Sequence, residues 1–269
     1  MPVYRPSELA QLGIRARKSL SQNFLIDRNI LEKITTSAEI SPGDQVLEIG
    51  PGPGALTEHL LSKGAHVFAI EKDEGLAEKL TRLQTPDNRL TIAKEDALNF
   101  PIPPSKTKWK LVANLPYQIT TPILQRFILE HEKIESLTLM VQREVAQRIT
   151  SPKDTKEYGS LTLFVSAYAN AQYCFTVKPS SFSPAPSVHS AVIHLKLHPF
   201  PFDFSEEEFF RFTRTAFGQR RKMIRGTLKE YGSQVIEEGL IQLALPPTAR
   251  PGELSLEQFA ALFTHFQAS

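Results

Sequence analysis

Residues 46–57, Val-Leu-Glu-Ile-Gly-Pro-Gly-Pro-Gly-Ala-Leu-Thr, constrain the fold of this chain more than any other stretch. An apolar run enters a turn holding Gly50, Gly52 and Gly54 and leaves it with a helical signal. Glycine lets the backbone bend sharply and approach a ligand closely, and Pro53 suits a first helical turn. A second apolar run, His66-Val67-Phe68-Ala69-Ile70, ends in Glu71. An acid about 20 residues beyond such a turn is placed to bind a ribose diol. Strand, glycine turn, helix and strand in that order point to an α/β fold with a parallel sheet and crossover helices. Two ligands stay open for the turn. One is a nicotinamide dinucleotide, whose looser pattern Gly50-x-Gly52-x-x-Ala55 satisfies; the other is the adenosine of S-adenosylmethionine.

Later segments add chemistry. Strands are expected near 45–50, 66–71, 90–94, 110–114 and 136–142, with helices at 54–63, 73–82 and 120–131. In an open parallel sheet, ligands sit outside the carboxyl ends of the strands. Gly50, Glu71, Asp96 and Asn114 each fall just past a strand, so they are expected to line one crevice. A carboxylate at Asp96 can accept from the exocyclic amine of an adenine. The tetrapeptide Asn114-Leu115-Pro116-Tyr117 offers a side-chain amide, carbonyls freed from strand pairing, and an aromatic ring. Such a set holds a planar, amino-substituted base: oxygens accept from the amine and the ring stacks on its face. Residues 188–197 alternate in polarity and are expected to pair antiparallel with 172–178.

In order and combination, these motifs resemble the ribosomal RNA adenine dimethyltransferases. The similar stretches are residues 48–57, Asp96-Ala97, Asn114–Tyr117, Ser21-Gln22-Asn23-Phe24-Leu25 with Asp27, and Phe182-Ser183-Pro184-Ala185-Pro186-Ser187-Val188. Arg220-Arg221-Lys222 is similar to a run in the bacterial small-subunit branch, and Pro53 stands where many relatives are expected to carry leucine. The resemblance implies a Rossmann-like S-adenosylmethionine-dependent methyltransferase sheet with a small helical C-terminal domain. It implies methyl transfer to N6 of two adjacent adenines near the 3′ end of 16S rRNA, within an immature 30S subunit.

By the same resemblance, Asn23, Leu25, Gly50, Glu71, Asp96 and Asn114 contact the cofactor, and Gln22 and Phe24 shape a lid. The Asn114 side chain and a carbonyl at Leu115 or Pro116 accept from the target amine. Tyr117 stacks on one face of the base, and Phe182 covers the other face or the product. Three alternatives stand beside this: large-subunit RNA methylation of the erythromycin-resistance type, a non-catalytic RNA-binding assembly factor, and, more distantly, an oxidoreductase.

Composition bounds the class. With 269 residues and a hydrophobic content of 41%, the chain is long enough for one or two domains with a sizeable core. One cysteine, Cys174, excludes a disulfide framework within the chain and is expected to be a buried strand residue. No run suits a signal peptide or a membrane span, which suggests a cytoplasmic protein, and a monomer is expected. His131-Glu132 opens a zinc-protease pattern, but Glu135 stands where the second histidine belongs, so no metal site is expected.

Net charge is only +2, so the placement of charge matters more than its sum. Arg15, Arg17 and Lys18 make the N-terminal segment basic, as either a tail or a folded lid. His198-Pro199-Phe200-Pro201-Phe202 marks a boundary between a methyltransferase domain at 1–200 and a helical domain at 201–269. In the latter, helices are expected after Ser205, over 222–231 and after Ser255. Residues 211–229 carry Arg211, Arg214, Arg220, Arg221, Lys222, Arg225 and Lys229 and no acid. Arg220, Arg221, Lys222 and Arg225 are the expected contacts to RNA phosphates.

Overall fold

The computed structural model describes Tyr4 and residues 6–14 and 22–269; Arg15, Arg17, Lys18 and Ser21 lie outside the described residues. Helix α1 (Pro6–Gln11), strand β1 (Phe24–Leu25) and helix α2 (Arg28–Ser37) come first. Strands and helices then alternate: β2 (Gln45–Ile49), α3 (Ala55–Ser62), β3 (His66–Ile70), α4 (Glu74–Leu80), β4 (Leu90–Ala93), β5 (Trp109–Asn114), α5 (Thr120–Ile128) and β6 (Ile134–Gln142). After α6 (Arg143–Thr150) and α7 (Ser160–Ser166) come β7 (Ala169–Val177), β8 (Phe182–Ser183) and β9 (Ser190–Leu197). The chain closes with α8 (Glu206–Phe217), α9 (Ile224–Thr227), α10 (Ser233–Gln242) and α11 (Leu256–Gln267).

Seven strands form one sheet in the order β4-β3-β2-β5-β6-β9-β7, and β1 pairs with β8 in a separate two-stranded ribbon. The pairs β2–β3, β2–β5, β3–β4 and β5–β6 are parallel, while β6–β9 is antiparallel. This is a Rossmann-like architecture. Helices cover a parallel sheet on both faces, so its central strands bury successive residues rather than alternate ones. In β2, Val46, Leu47, Glu48 and Ile49 are all buried. Leu31, Leu60, Val112, Met140 and Val192 join Val46 in the core beneath.

Register aligns the strand ends. Ile49 is level with Ile70 and with Ala113, and Ile70 with Ala93. The next residues along, Gly50, Glu71, Lys94 and Asn114, therefore stand in one row at the carboxyl edge. Local chemistry starts the helices behind that row. Asp27 caps α2 by accepting from the Asn29 amide, and Asp73 caps α4 by accepting from the Gly75 and Leu76 amides. Gly54 opens α3 with φ +91°, and a Cβ there would sit 2.6 Å from Leu83 Cδ1. No other residue meets both demands.

Two units emerge: residues 1–146 with 171–198, and residues 147–170 with 199–269. This departs from the division at 200, because 147–170 belongs with the C-terminal unit. The cause is aromatic packing. The Phe164 ring lies 5.2 Å from Phe210, Tyr158 6.0 Å from Phe217, and the Tyr158 hydroxyl donates to the Leu254 carbonyl at 2.8 Å. Phe209, Phe212 and Phe263 complete that core, with ring separations of 5.6 and 5.4 Å to Phe263.

Two local expectations are corrected and one helix is added. The helix over 222–231 is two pieces, α9 and a single 3-10 turn at Lys229–Tyr231; Leu228 between them leaves helical geometry at φ −97°, ψ 23°. Helix α10 went unforeseen. Cys174 lies on a strand but is half-buried, because β7 is an edge strand of the sheet.

Candidate active site

A cavity of about 330 Å³ opens along the row of strand ends. Its wall includes Asn23, Leu25, Gly50, Glu71, Asp96 and Asn114, the six residues expected around the cofactor, and also Leu115, Pro116, Tyr117 and Phe182. All lie within the first unit.

The acids differ in state. Glu71 is buried; its two oxygens accept from the Gly52 amide at 3.0 Å and the Asp73 amide at 2.9 Å. Burial raises its pKa, and those amides oppose the shift. Asp96 accepts from the Leu98 amide at 3.0 Å and pairs with the Lys72 ammonium at 2.8 Å. Lys72 holds the Asp96 carboxyl below its ordinary range. Glu48 was not anticipated. It is 1% exposed, lines the same cavity, and neither carboxyl oxygen has a hydrogen-bond partner among the described residues. Burial lifts its pKa to about 8, and the Glu71 charge adds to the shift. The Thr57 hydroxyl moderates it from outside hydrogen-bond geometry. A buried, unpartnered acid in a strand that otherwise packs apolar side chains has no packing reason to be there. The only sequence signal was its place just before the glycine turn.

The tetrapeptide is held from outside itself. The Asn114 amide nitrogen donates to the Asn23 carbonyl at 3.3 Å, and its oxygen accepts no hydrogen bond among the described residues. The Pro116 carbonyl already accepts from the Ile119 amide at 3.1 Å. The Leu115 carbonyl has no donor among the described residues. Tyr117 is half-buried, and its hydroxyl meets that of Ser190 at 2.8 Å. Phe182 is 5% exposed and level with Leu25 in the β1–β8 ribbon, so the Asn23–Leu25 motif and the Phe182 loop support each other.

The described part of the N-terminal segment is folded against this unit. The Tyr4 hydroxyl donates to Glu58 at 3.0 Å, Lys79 donates to the Gly13 carbonyl at 2.5 Å, and Leu9 and Ile14 pack with Phe24 and Leu76.

The four expected RNA cations separate in the second unit. Arg220 donates to the carbonyls of Thr155 and Lys156, and Arg225 pairs with Glu237 at 2.6 Å. Arg221 and Lys222 are exposed and have no ion-pair partner among the described residues. They border a cleft shared with Thr248 and Arg250, which sequence reading did not single out because they lie about 25 residues downstream.

The cavity fits S-adenosylmethionine on its own chemistry. Glu71 and Asp96 offer acceptors for a ribose and an amine. Comparison with known proteins agrees. The profile of the family described as ribosomal RNA adenine dimethylase matches residues 13–268. The ribosomal RNA small subunit methyltransferase A of Protochlamydia amoebophila is 46% identical, across 100% of this chain and 99% of that protein. Among solved structures, a dimethyladenosine transferase from Plasmodium falciparum superposes with a TM-score of 0.80 at 25% identity, covering 91% of this chain and 98% of that one. The 23S rRNA methyltransferase ErmE gives 0.70 at 27% identity, covering 91% and 100%. With its strand-end cavity and with matches that run nearly end to end, this chain belongs to the ribosomal RNA adenine dimethylase family.

Proposed function

We propose that this enzyme dimethylates N6 of two adjacent adenines near the 3′ end of 16S rRNA in the maturing small subunit, acting as a cytoplasmic monomer. The observation that carries the reading is the free Asn114 oxygen and Leu115 carbonyl at the rim of a cavity built for an adenosine cofactor. The small-subunit branch is favoured over the erythromycin-resistance type, because the bacterial relative whose name gives that substrate matches the whole chain far more closely. A purely non-catalytic factor would have no need of these acceptors.

S-adenosylmethionine supplies a methyl group already activated on a sulfonium. The protein's share is to hold, orient and exclude water. Glu71 keeps lone pairs for ribose hydroxyls while the Gly52 and Asp73 amides fix its carboxylate. Asp96, engaged by Lys72 on one oxygen and the Leu98 amide on the other, keeps lone pairs that would accept from the cofactor's adenine amine. Asn23, Leu25 and Gly50 close the pocket.

The target adenine must be unpaired or flipped out to enter. Its amine is a weak nucleophile, since its lone pair is delocalised into the ring. Asn114 Oδ1 and the Leu115 carbonyl accept its two N–H groups, aim the nitrogen, and stabilise the positive charge that develops there. The Pro116 carbonyl, engaged by Ile119, is the weaker choice. Tyr117 stacks on the base, which contributes about 1–3 kcal/mol per ring, and Phe182 borders the opposite side. Arg221 and Lys222, with Arg250 across the cleft, contact phosphates of the RNA, whereas Arg220 and Arg225 hold the scaffold that presents them.

Small subunits lacking adenine dimethylation, with large subunits alongside, should be incubated with the protein and methyl-labelled cofactor. Dimethyladenosine in the small-subunit RNA is expected by mass spectrometry. Label confined to the large subunit would move the chain to the resistance type, and no transfer to either would reject the reading.

A further inference from the structure

We propose that Ser190 is a positioning residue for methyl transfer: its hydroxyl tethers Tyr117 and so fixes the plane on which the target adenine stacks. The inference rests on the stacking role given to Tyr117 above. Ser190 opens β9, level with Gln142 of β6, and β6 in turn neighbours the strand that ends in Asn114. The start of β9 is itself fixed, since the Arg143 amide donates to the His189 carbonyl at 3.0 Å.

Ser190 is 0% exposed, and the residues that follow it, Ala191, Val192 and Ile193, are buried and apolar. Alanine would fill that place without asking for a hydrogen bond. A serine does ask for one, because a buried hydroxyl without a partner is costly. The Tyr117 phenol meets it at 2.8 Å, across 73 residues of sequence.

The bond to Ser190 is the side-chain hydrogen bond that Tyr117 makes among the described residues. Tyr117 begins a single 3-10 turn, Tyr117–Ile119, whose start has no side-chain cap. Among the described residues, no other aromatic ring packs against it. The phenol tether therefore adds a directional restraint, at the far end of the ring from its 3-10 turn, to a side chain that is only half-buried. A stacking platform aids transfer only when its plane is fixed as the base arrives.

Dimethylation makes the tether matter most at the second transfer. The unmodified amine offers two N–H groups to Asn114 and Leu115. After the first methyl only one remains. Less of the base is then held by hydrogen bonds and more by stacking. A loosened ring should slow the second step most and release monomethyladenosine.

The test compares Tyr117→Phe, Ser190→Ala, the double variant and Tyr117→Ala. For each, kcat on small subunits, the Kd of S-adenosylmethionine, the melting temperature and the ratio of mono- to dimethyladenosine are measured. Each single loss of the hydrogen bond should lower kcat about five- to tenfold. Cofactor Kd should stay unchanged, the monomethyl share should rise, and the double variant should be no worse than either single one. A merely structural serine would lower the melting temperature and leave the product ratio alone. Should Ser190→Ala unfold, Tyr117→Phe removes the same bond from the half-exposed side and carries the test. Wild-type kcat and product ratio in Tyr117→Phe, with Tyr117→Ala impaired, would overturn the tether and spare the stacking role, as would single losses that multiply in the double variant. Full activity in Tyr117→Ala would overturn both.

Discussion

Glu48 carries the largest pH lever in the site. With its pKa raised from 4.5 to about 8, the folded protein keeps a proton there that the unfolded chain gives up. The stability this protonation contributes is complete below the ordinary carboxyl range and is lost as pH rises through about 8. Glu48→Gln abolishes the titration. Melting temperatures of the two proteins should lie close together at pH 5 and diverge by pH 9, with the variant more stable by an amount on the order of a few kcal/mol. A gap independent of pH would show that Glu48 ionises normally. In the sequence, Glu48 is one acid in an apolar strand, and nothing local says that both its oxygens are orphaned. Gly50, Glu71 and Asn114 could be placed beside one crevice from the sequence because they stand level at their strand ends, whereas Asp96 lies three residues past β4 and reaches the cavity wall through its loop. The partners that tune them, Lys72 on Asp96 and the Asn23 carbonyl on Asn114, come from other elements and are invisible to spacing.

At the level of elements, legibility followed the strength of local signals. The strands of the parallel sheet announce themselves as short apolar runs, and Ser205 and Ser255 mark α8 and α11 by capping them, accepting from the Glu208 and Gln258 amides. Helix α10 gives neither signal. Its start has no side-chain cap, and Gly239 interrupts it. The glycine is there for contact rather than for conformation. A Cβ at 239 would stand 2.6 Å from Leu262 Cδ1 and 2.9 Å from His265 Cδ2 on α11. Alanine would help an isolated helix by about 0.8–1 kcal/mol. Overpacking of a buried seam costs about 1–3 kcal/mol, so the steric term should win. Gly239→Ala should therefore lower the melting temperature by several degrees; a rise would mean that the two helices separate at no cost.

For the whole molecule, the proposed division of labour in the basic segment predicts how RNA binding should respond to salt. Arg220, Arg221, Lys222 and Arg225 look alike in sequence, but two spend their charge on protein groups and two do not. Replacing Arg221 and Lys222 together by glutamine should reduce the slope of log affinity against log salt by roughly 1.5, the value for two lost phosphate contacts. Replacing Arg220 and Arg225 should instead lower the melting temperature of the protein and leave the slope nearly unchanged. Equal slopes in both double variants would remove the distinction.

In the proposed mechanism one crevice both holds the cofactor and aims the amine. Its most direct test is Asn114→Ala, with methyl transfer to small subunits and cofactor affinity measured on the same preparation. Loss of a positioned acceptor should slow transfer by about 10²–10³-fold while the Kd for S-adenosylmethionine changes far less. Turnover near that of the unaltered enzyme would contradict the account, because Asn114 could not then be the residue that receives the adenine amine.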